Sequence, residues 1–311
     1  MSERSAPAGV APHSNASPLF VASHLGLVAL TWGSSFLLIK LTQGQVDPVV
    51  LASVRAVLAA LALGIVVMLL RQSVLPARHE IKDWLVLGTV NGWVPNILVA
   101  YALARMDSGP AALIQASGPL MTAVLAHQFL ANERLTRARV FGILIGLCGV
   151  LLLIGPRMLE GGATLAGVLA MLLLTLLYAI GNVYARTIRT AQPLRLALGQ
   201  QSVSAVAATL VALALSGAAG FMPALAYPWP LLALGLFSTA LPIFVFMRLI
   251  LAAGPTKASM GGYLVPVFAT FLGIVVLNEA LEMRQVLGGA IVLIGVAIVS
   301  GVLRWPNFKT A

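Results

Sequence analysis

Apolar segments of membrane length follow one another almost without a gap from Leu19 to Leu303. The hydrocarbon core of a bilayer takes about 20 apolar residues of helix to cross. Within lipid every backbone N–H and C=O must find an internal partner, so only helices and closed barrels span it. Ten helical spans are delimited: 19–40, 48–70, 83–104, 109–130, 138–155, 164–186, 193–216, 229–250, 256–277 and 285–303. Composition leaves no room for a separate soluble domain. Of 311 residues, 60% are hydrophobic and 9% charged, against about 25% charged in a soluble protein.

The few charges set the orientation. With the N-terminus in the cytoplasm, fourteen Lys and Arg fall on inside segments and four on outside ones, with Arg55 inside a span. Such a bias predicts both termini cytoplasmic, and an even number of spans agrees. Residues 1–18 read as a flexible cytoplasmic tail and 304–311 as a second. The segment from Leu19 is too long for a cleaved leader and is kept as a helix. The net charge of +10 is spread over short gaps, without a run fit for nucleic acid. A single cysteine, Cys148, permits neither an internal disulfide nor a metal set. The sequence calls for no cofactor and no metal.

The second half repeats the first at a shift near 146. Asn132-Glu133-Arg134-Leu135 matches Asn278-Glu279-Ala280-Leu281, and Gly142, Gly149 and Gly155 match Gly288, Gly295 and Gly301. Pro95 matches Pro242 and Pro119 matches Pro266, both at 147, while Gly109-Pro110 matches Gly254-Pro255 at 145. The units are 19–157 and 158–303. Five spans each, an odd number, make the second copy enter from the opposite face. The predicted fold is therefore an all-α membrane protein of two inverted five-helix repeats. Inverted repeats recur in secondary transporters, whose site lies near mid-membrane between the halves.

Several of these residues also resemble a known family. Leu30-Thr31-Trp32-Gly33-Ser34-Ser35-Phe36, Arg55 and the two Asn-Glu-x-Leu elements are similar to the EamA-type members of the drug/metabolite transporter superfamily. The likeness covers residues 19–303. It implies alternating access and export of small metabolites such as amino acids, aromatic ones included, from the bacterial inner membrane. The copies differ where Trp32-Gly33 becomes Tyr178-Ala179 and where Arg55 meets Gln200 or Gln201. The cavity is expected to be chemically asymmetric.

Polar groups inside a span are costly unless they face a partner or a cavity. Arg55, eight residues after Pro48, lies about 12 Å into the bilayer at 1.5 Å per residue. It could meet a substrate carboxylate or bond helix carbonyls as a structural arginine. Spans 1, 3, 4, 6, 8 and 9 are read as lining the cavity. The expected substrate contacts are Trp32, Ser35, Asn91, Trp93, Asn96, Tyr101, Gln115, Tyr178, Asn182, Ser238 and Tyr263. For each of them singly an interhelical hydrogen bond explains the residue equally well, but it explains the whole set poorly. Pro95, Pro119, Pro242 and Pro266 are candidate kinks or hinges. Trp84 and Trp229, near span starts, read as interface anchors. Glycines in spans 5 and 10 read as close packing, with room for a weak homodimer beside a monomer.

No Asp or Glu falls deep in a span, which leaves a carboxylate proton relay or sodium site without support. His24 and His127 are candidate proton sites, with packed neutral imidazoles as the alternative. An uncoupled exporter of amino acids, aromatic or apolar ones favoured, fits an uncharged cavity of aromatics and amides with one arginine. A proton-coupled exporter of hydrophobic drugs or other metabolites is the second reading. A membrane enzyme would need a nucleophile and base, paired carboxylates or a metal set. A channel would need a ring of charge or a filter loop. Neither pattern occurs, and no phosphate-binding loop supports an ATP-driven pump.

Overall fold

The computed structural model describes residues 16–42, 45–103, 105, 114–154, 164–188, 192–277 and 282–303. The expected tails at 1–15 and 304–311 lie outside the described residues. So do Gly109, Pro110, Gly155 and Asn278 to Leu281 of the sequence repeat.

Every described element is helical. In chain order they are α1 (Pro18–Lys40), α2 (Pro48–Leu69), α3 (Ile81–Gly88, a π-helical turn Thr89–Trp93, then Val94–Leu103), α4 (Gly118–Phe129) and α5 (Arg137–Ile154). There follow α6 (Leu165–Thr187), α7 (Pro193–Ser216) and a 3-10 turn (Ala218–Ala226). The last are α8 (Pro228–Gly235, a π-helical turn Leu236–Ala240, then Leu241–Ala253), α9 (Pro255–Ser259 and Gly261–Leu277) and α10 (Met283–Ser300). Among the described residues, six helices are long and apolar enough to cross a membrane: those at 18–39, 48–69, 165–187, 193–216, 228–253 and 283–300.

The helix starts follow local chemistry. Ser17 and Asp47 accept from the backbone N–H of Phe20 (3.2 Å) and Val49 (2.8 Å), with a proline at the next position in both cases. A proline is tolerated there because the first N–H groups of a helix have no partner in the helix. Thr164 caps α6, and Glu282 with Gln285 forms a capping box on α10. Outside, large apolar side chains such as Leu61, Ile65, Leu169, Leu210 and Leu215 stand exposed along the helices. A water-soluble monomer rarely shows so large an apolar surface; lipid is the medium that suits it.

The packing pairs corresponding helices of the two halves. Ser53 bonds Thr209 at 2.7 Å, while Gly64 faces Leu198. Residue numbers rise along α2 as they fall along α7, so the two run antiparallel. α5 and α10 do the same. A β-carbon on Gly142 would stand 3.0 Å from the Gly295 carbonyl oxygen, and one on Gly149 would stand 2.9 Å from that of Gly288. The glycines let these two backbones touch. Other contacts come in matched sets: α1 packs on α8 and α9 as α6 packs on α3 and α4, and α2 packs on α8 as α7 packs on α3.

At the basic end of the molecule the connections are tied down. Arg195, 8% exposed, donates to both carboxylate oxygens of Glu80 and to the carbonyls of Ser73 and Leu75. Glu133 pairs with Arg139 at 2.8 Å and presses on Gly254 in the turn between α8 and α9. Gly254 has φ +91°, a conformation that disfavours a side chain, and the carboxylate leaves no space for one. Trp229 is exposed as an interface anchor should be. Trp84 is not: it is buried against Gly199 beneath the Arg195 guanidinium, 5.1 Å from the ring centre. Its place near a span start gave no sign of the glycine that receives it.

Candidate functional site

Two helices, α3 and α8, are broken at corresponding places, and each break packs on the first two helices of the other half. Pro95 and Pro242 lack a backbone N–H, which leaves the carbonyls four residues earlier, of Asn91 and Ser238, without a donor from their own helix. In both helices the chain answers with a π-helical turn just before the proline, at Thr89–Trp93 and Leu236–Ala240. Gly92 leaves helical geometry altogether (φ −119°, ψ −109°). Such turns are frequent at functional sites. Pro119 behaves alike: it is the second residue of α4, after a turn at Ala116 and Ser117, and so begins a helix rather than bending one. Pro266 alone of the four sits inside a continuous helix.

Each break is met by the second helix of the other half. The side-chain amide of Gln200 on α7 donates to the Asn91 carbonyl (3.2 Å), the group that Pro95 sets free. Asn91 in turn donates from its side chain to Asn182 of α6 at 3.3 Å. Ser204 of α7 donates to the Gly88 carbonyl at 3.3 Å. On the other side Arg55 of α2 donates from Nε to Thr239 Oγ1 (3.1 Å), and Thr239 donates to the Leu234 carbonyl (2.7 Å). Ser238 shares a 2.9 Å hydrogen bond with Ser34 of α1. Asn91 and Ser238 correspond at the shift of 147, and each joins its break to the first helix of the opposite half.

The charge balance here is uneven. Arg55 is partly buried and lies within electrostatic reach of the Tyr178 hydroxyl. Among the described residues no carboxylate meets its guanidinium. An arginine remains charged in any protein and offers five N–H donors. Here one of them is directed at a hydroxyl. A charged group inside a membrane protein is costly unless it faces a partner or a cavity.

Around this centre Trp32 is half-buried, its ring 5.1 Å from that of Phe246. Ser35 turns back on the Trp32 carbonyl at 2.5 Å. Trp93 donates to Thr89 at 3.3 Å, and Asn96 is half-buried. Asn182 is buried on the face of α6 that carries Tyr178 one turn away. Other expected contacts stand apart. Tyr263 is fully buried against Gly146 of α5, and Tyr101 is exposed under Arg105 (3.7 Å). Gln115 is exposed. His24 stacks on Phe20 near the start of α1, and His127 is exposed near the end of α4, where its Nδ1 accepts from the Leu135 N–H at 3.4 Å. Among the described residues no group of His, Cys, Asp and Glu could hold a metal ion. The sequence placed neither Thr239 nor Gln200 in the site; for Gln200 the offset of four before Pro95 was the signal that marks its partner, the Asn91 carbonyl, while Thr239 bonds the Leu234 carbonyl, which no such offset marks.

Apolar helices in this number, broken in pairs at an internal interface, define a multi-pass membrane transporter. The chain belongs to the EamA-like transporter family, which matches at residues 20–155 and again at 165–301. It is similar to the uncharacterized transporter YoaV of Bacillus subtilis, at 23% identity over 88% of this chain and 94% of that one. The uncharacterized inner membrane transporter YedA of Escherichia coli K12 shares 28% identity over 91% of this chain and 90% of its own. A probable amino-acid metabolite efflux pump of Salmonella typhimurium shares 26% identity over 88% and 92%. A solved protein crystal structure superposes with a TM-score of 0.79 over 93% of this chain and 99% of its own, at 21% identity, and has the same fold.

Proposed function

We propose that this protein is a secondary exporter of amino acids, aromatic or apolar ones first, working by alternating access between two inverted five-helix repeats. In this reading ten helices cross the inner membrane and both termini are cytoplasmic. Residues 19–157 and 158–303 are the two units. The antiparallel pairs α2/α7 and α5/α10 support the inversion, because matching helices of unlike orientation must run in opposite directions. The matched contacts of α1 and α6 support it too: an exchange of roles between the halves carries one access state into the other.

The single observation that carries the substrate class is Arg55, charged and, among the described residues, without a carboxylate partner, at the α8 break. A substrate carboxylate would satisfy it with bidentate geometry. Trp32, Trp93 and Tyr178 supply flat surfaces for an aromatic or apolar side chain. The relative of Salmonella, described as a probable amino-acid metabolite efflux pump, agrees with that class.

Efflux of labelled amino acids from liposomes holding the purified protein tests the reading. Saturable efflux of phenylalanine is expected in wild type, lowered about tenfold or more in Arg55→Gln for the loss of one charge-assisted pair. Trp93→Ala and Asn96→Ala are expected to lower it as well. Efflux that is the same in all four proteins would sink the assignment.

A further inference from the structure

Two buried side-chain oxygens at the α3 break have no hydrogen-bond partner: Oδ1 of Asn91 and Oε1 of Gln200. Gln200 is 4% exposed. The donor ends of both amides are already engaged, Gln200 on the carbonyl freed by Pro95 and Asn91 on Asn182. What remains is a pair of acceptors on one helix break. An unpaired buried oxygen costs about as much as the hydrogen bond it lacks, and buried polar atoms in native proteins are nearly always satisfied. The first segment of α3, Ile81–Gly88, ends at this break and turns the negative pole of its dipole toward it.

Acceptors without donors, on the negative end of a half-helix, match a group that is all donor and no acceptor. We propose that the Asn91 and Gln200 oxygens bind a small monovalent cationic group, and that its source is the ammonium group of a zwitterionic substrate. Both poles border the same helix. On α6 Asn182 bonds Asn91, and Tyr178, one turn before it, is within electrostatic reach of Arg55. Four residues of α6, about 6 Å along its axis, separate Tyr178 from Asn182. An α-amino acid with its carboxylate toward the guanidinium and its ammonium toward the amides would lie along this stretch of α6. The inference rests on the amino-acid reading above and adds Gln200, a residue of α7, to the binding site. Sodium has the same charge and the same taste for carbonyl oxygens, so it is the second source to be distinguished.

The test compares three compounds in proteoliposomes: phenylalanine, 3-phenylpropionate (no ammonium) and phenethylamine (no carboxylate). Wild type is expected to favour phenylalanine over 3-phenylpropionate by about tenfold or more, the weight of one hydrogen bond to a charged group. In Gln200→Met, of similar volume, that ratio is expected to fall to within about threefold, while discrimination against phenethylamine persists because Arg55 is untouched. A general packing defect would not separate the two ratios. If the variant does not fold, the wild-type ratio decides alone. Equal handling of phenylalanine and 3-phenylpropionate, together with saturable dependence on sodium over choline that Gln200→Met removes, assigns the cation pole to sodium. Equal handling without sodium dependence overturns the pole and leaves the transporter reading in place. Failure of a folded wild type to move any of the three removes the amino-acid reading, and this pole with it.

Discussion

At the residue scale, the ion pairs at the basic end carry a pH dependence whose sign can be worked out. The hydrogen bonds from Arg195 hold the Glu80 carboxyl below the usual carboxylate range, against the opposing effect of burial. A carboxylate whose value is depressed by folding stabilises the folded state in full above its ordinary value of about 4.3. That contribution is lost as pH falls from there through the folded value. Melting temperature in detergent, followed from about pH 7 to about pH 3, is expected to drop more steeply in wild type than in Glu80→Gln. Parallel curves would mean that the pair does not stabilise the fold. From sequence, Arg195 was one more positive charge counted for orientation. Its four acceptors come from the α2–α3 connection, more than a hundred residues earlier, and no local pattern announces them. Tyr184 is a similar case: its hydroxyl donates to Asp83 at 2.6 Å, across a separation of 101 residues.

At the element scale, the breaks in α3 and α8 were half legible. Proline inside an apolar span predicts a freed carbonyl, and the repeat placed both prolines in register. The π-helical form of the turns was not legible, because it depends on what the neighbouring helix offers the freed group. At Pro95 that is an amide from α7; at the α8 break the Arg55 guanidinium reaches Thr239, whose hydroxyl donates to the Leu234 carbonyl. Helix bounds, by contrast, fell within a few residues of the expected spans wherever a cap or a first-turn proline marks them. α4 departs, since its expected start at 109 lies outside the described residues and the continuous helix begins at Gly118. Pro95→Ala restores an N–H that competes with Gln200 for the Asn91 carbonyl. The variant is expected to keep its melting temperature within a few degrees, about 1 kcal/mol in stability, and to lose most of its efflux. Unchanged efflux would show that the break is dispensable.

At the scale of the whole molecule, orientation is the claim most open to a direct check. Gln72 at the basic end and Met222 at the opposite end are both exposed. On a Cys148→Ser background, an impermeant maleimide added to intact cells is expected to label Met222→Cys and to spare Gln72→Cys until the membrane is opened. The reverse pattern would invert the topology drawn from the positive charges. The sequence repeat proposes which helices correspond. It could not foretell that corresponding helices also touch, α2 with α7 and α5 with α10, because a shift in sequence says nothing about distance in space.

The contact of α5 with α10 has a consequence for how the chain is made. Gly149 and its partner Gly288 lie 139 residues apart. A ribosome adding about 5–20 residues per second needs roughly 7–28 seconds to pass from one to the other. Through that interval the glycine face of α5 lacks the α10 backbone that covers it in the folded chain. The helices made earlier must hold together on their own contacts until α10, the last of the described helices, closes on that face.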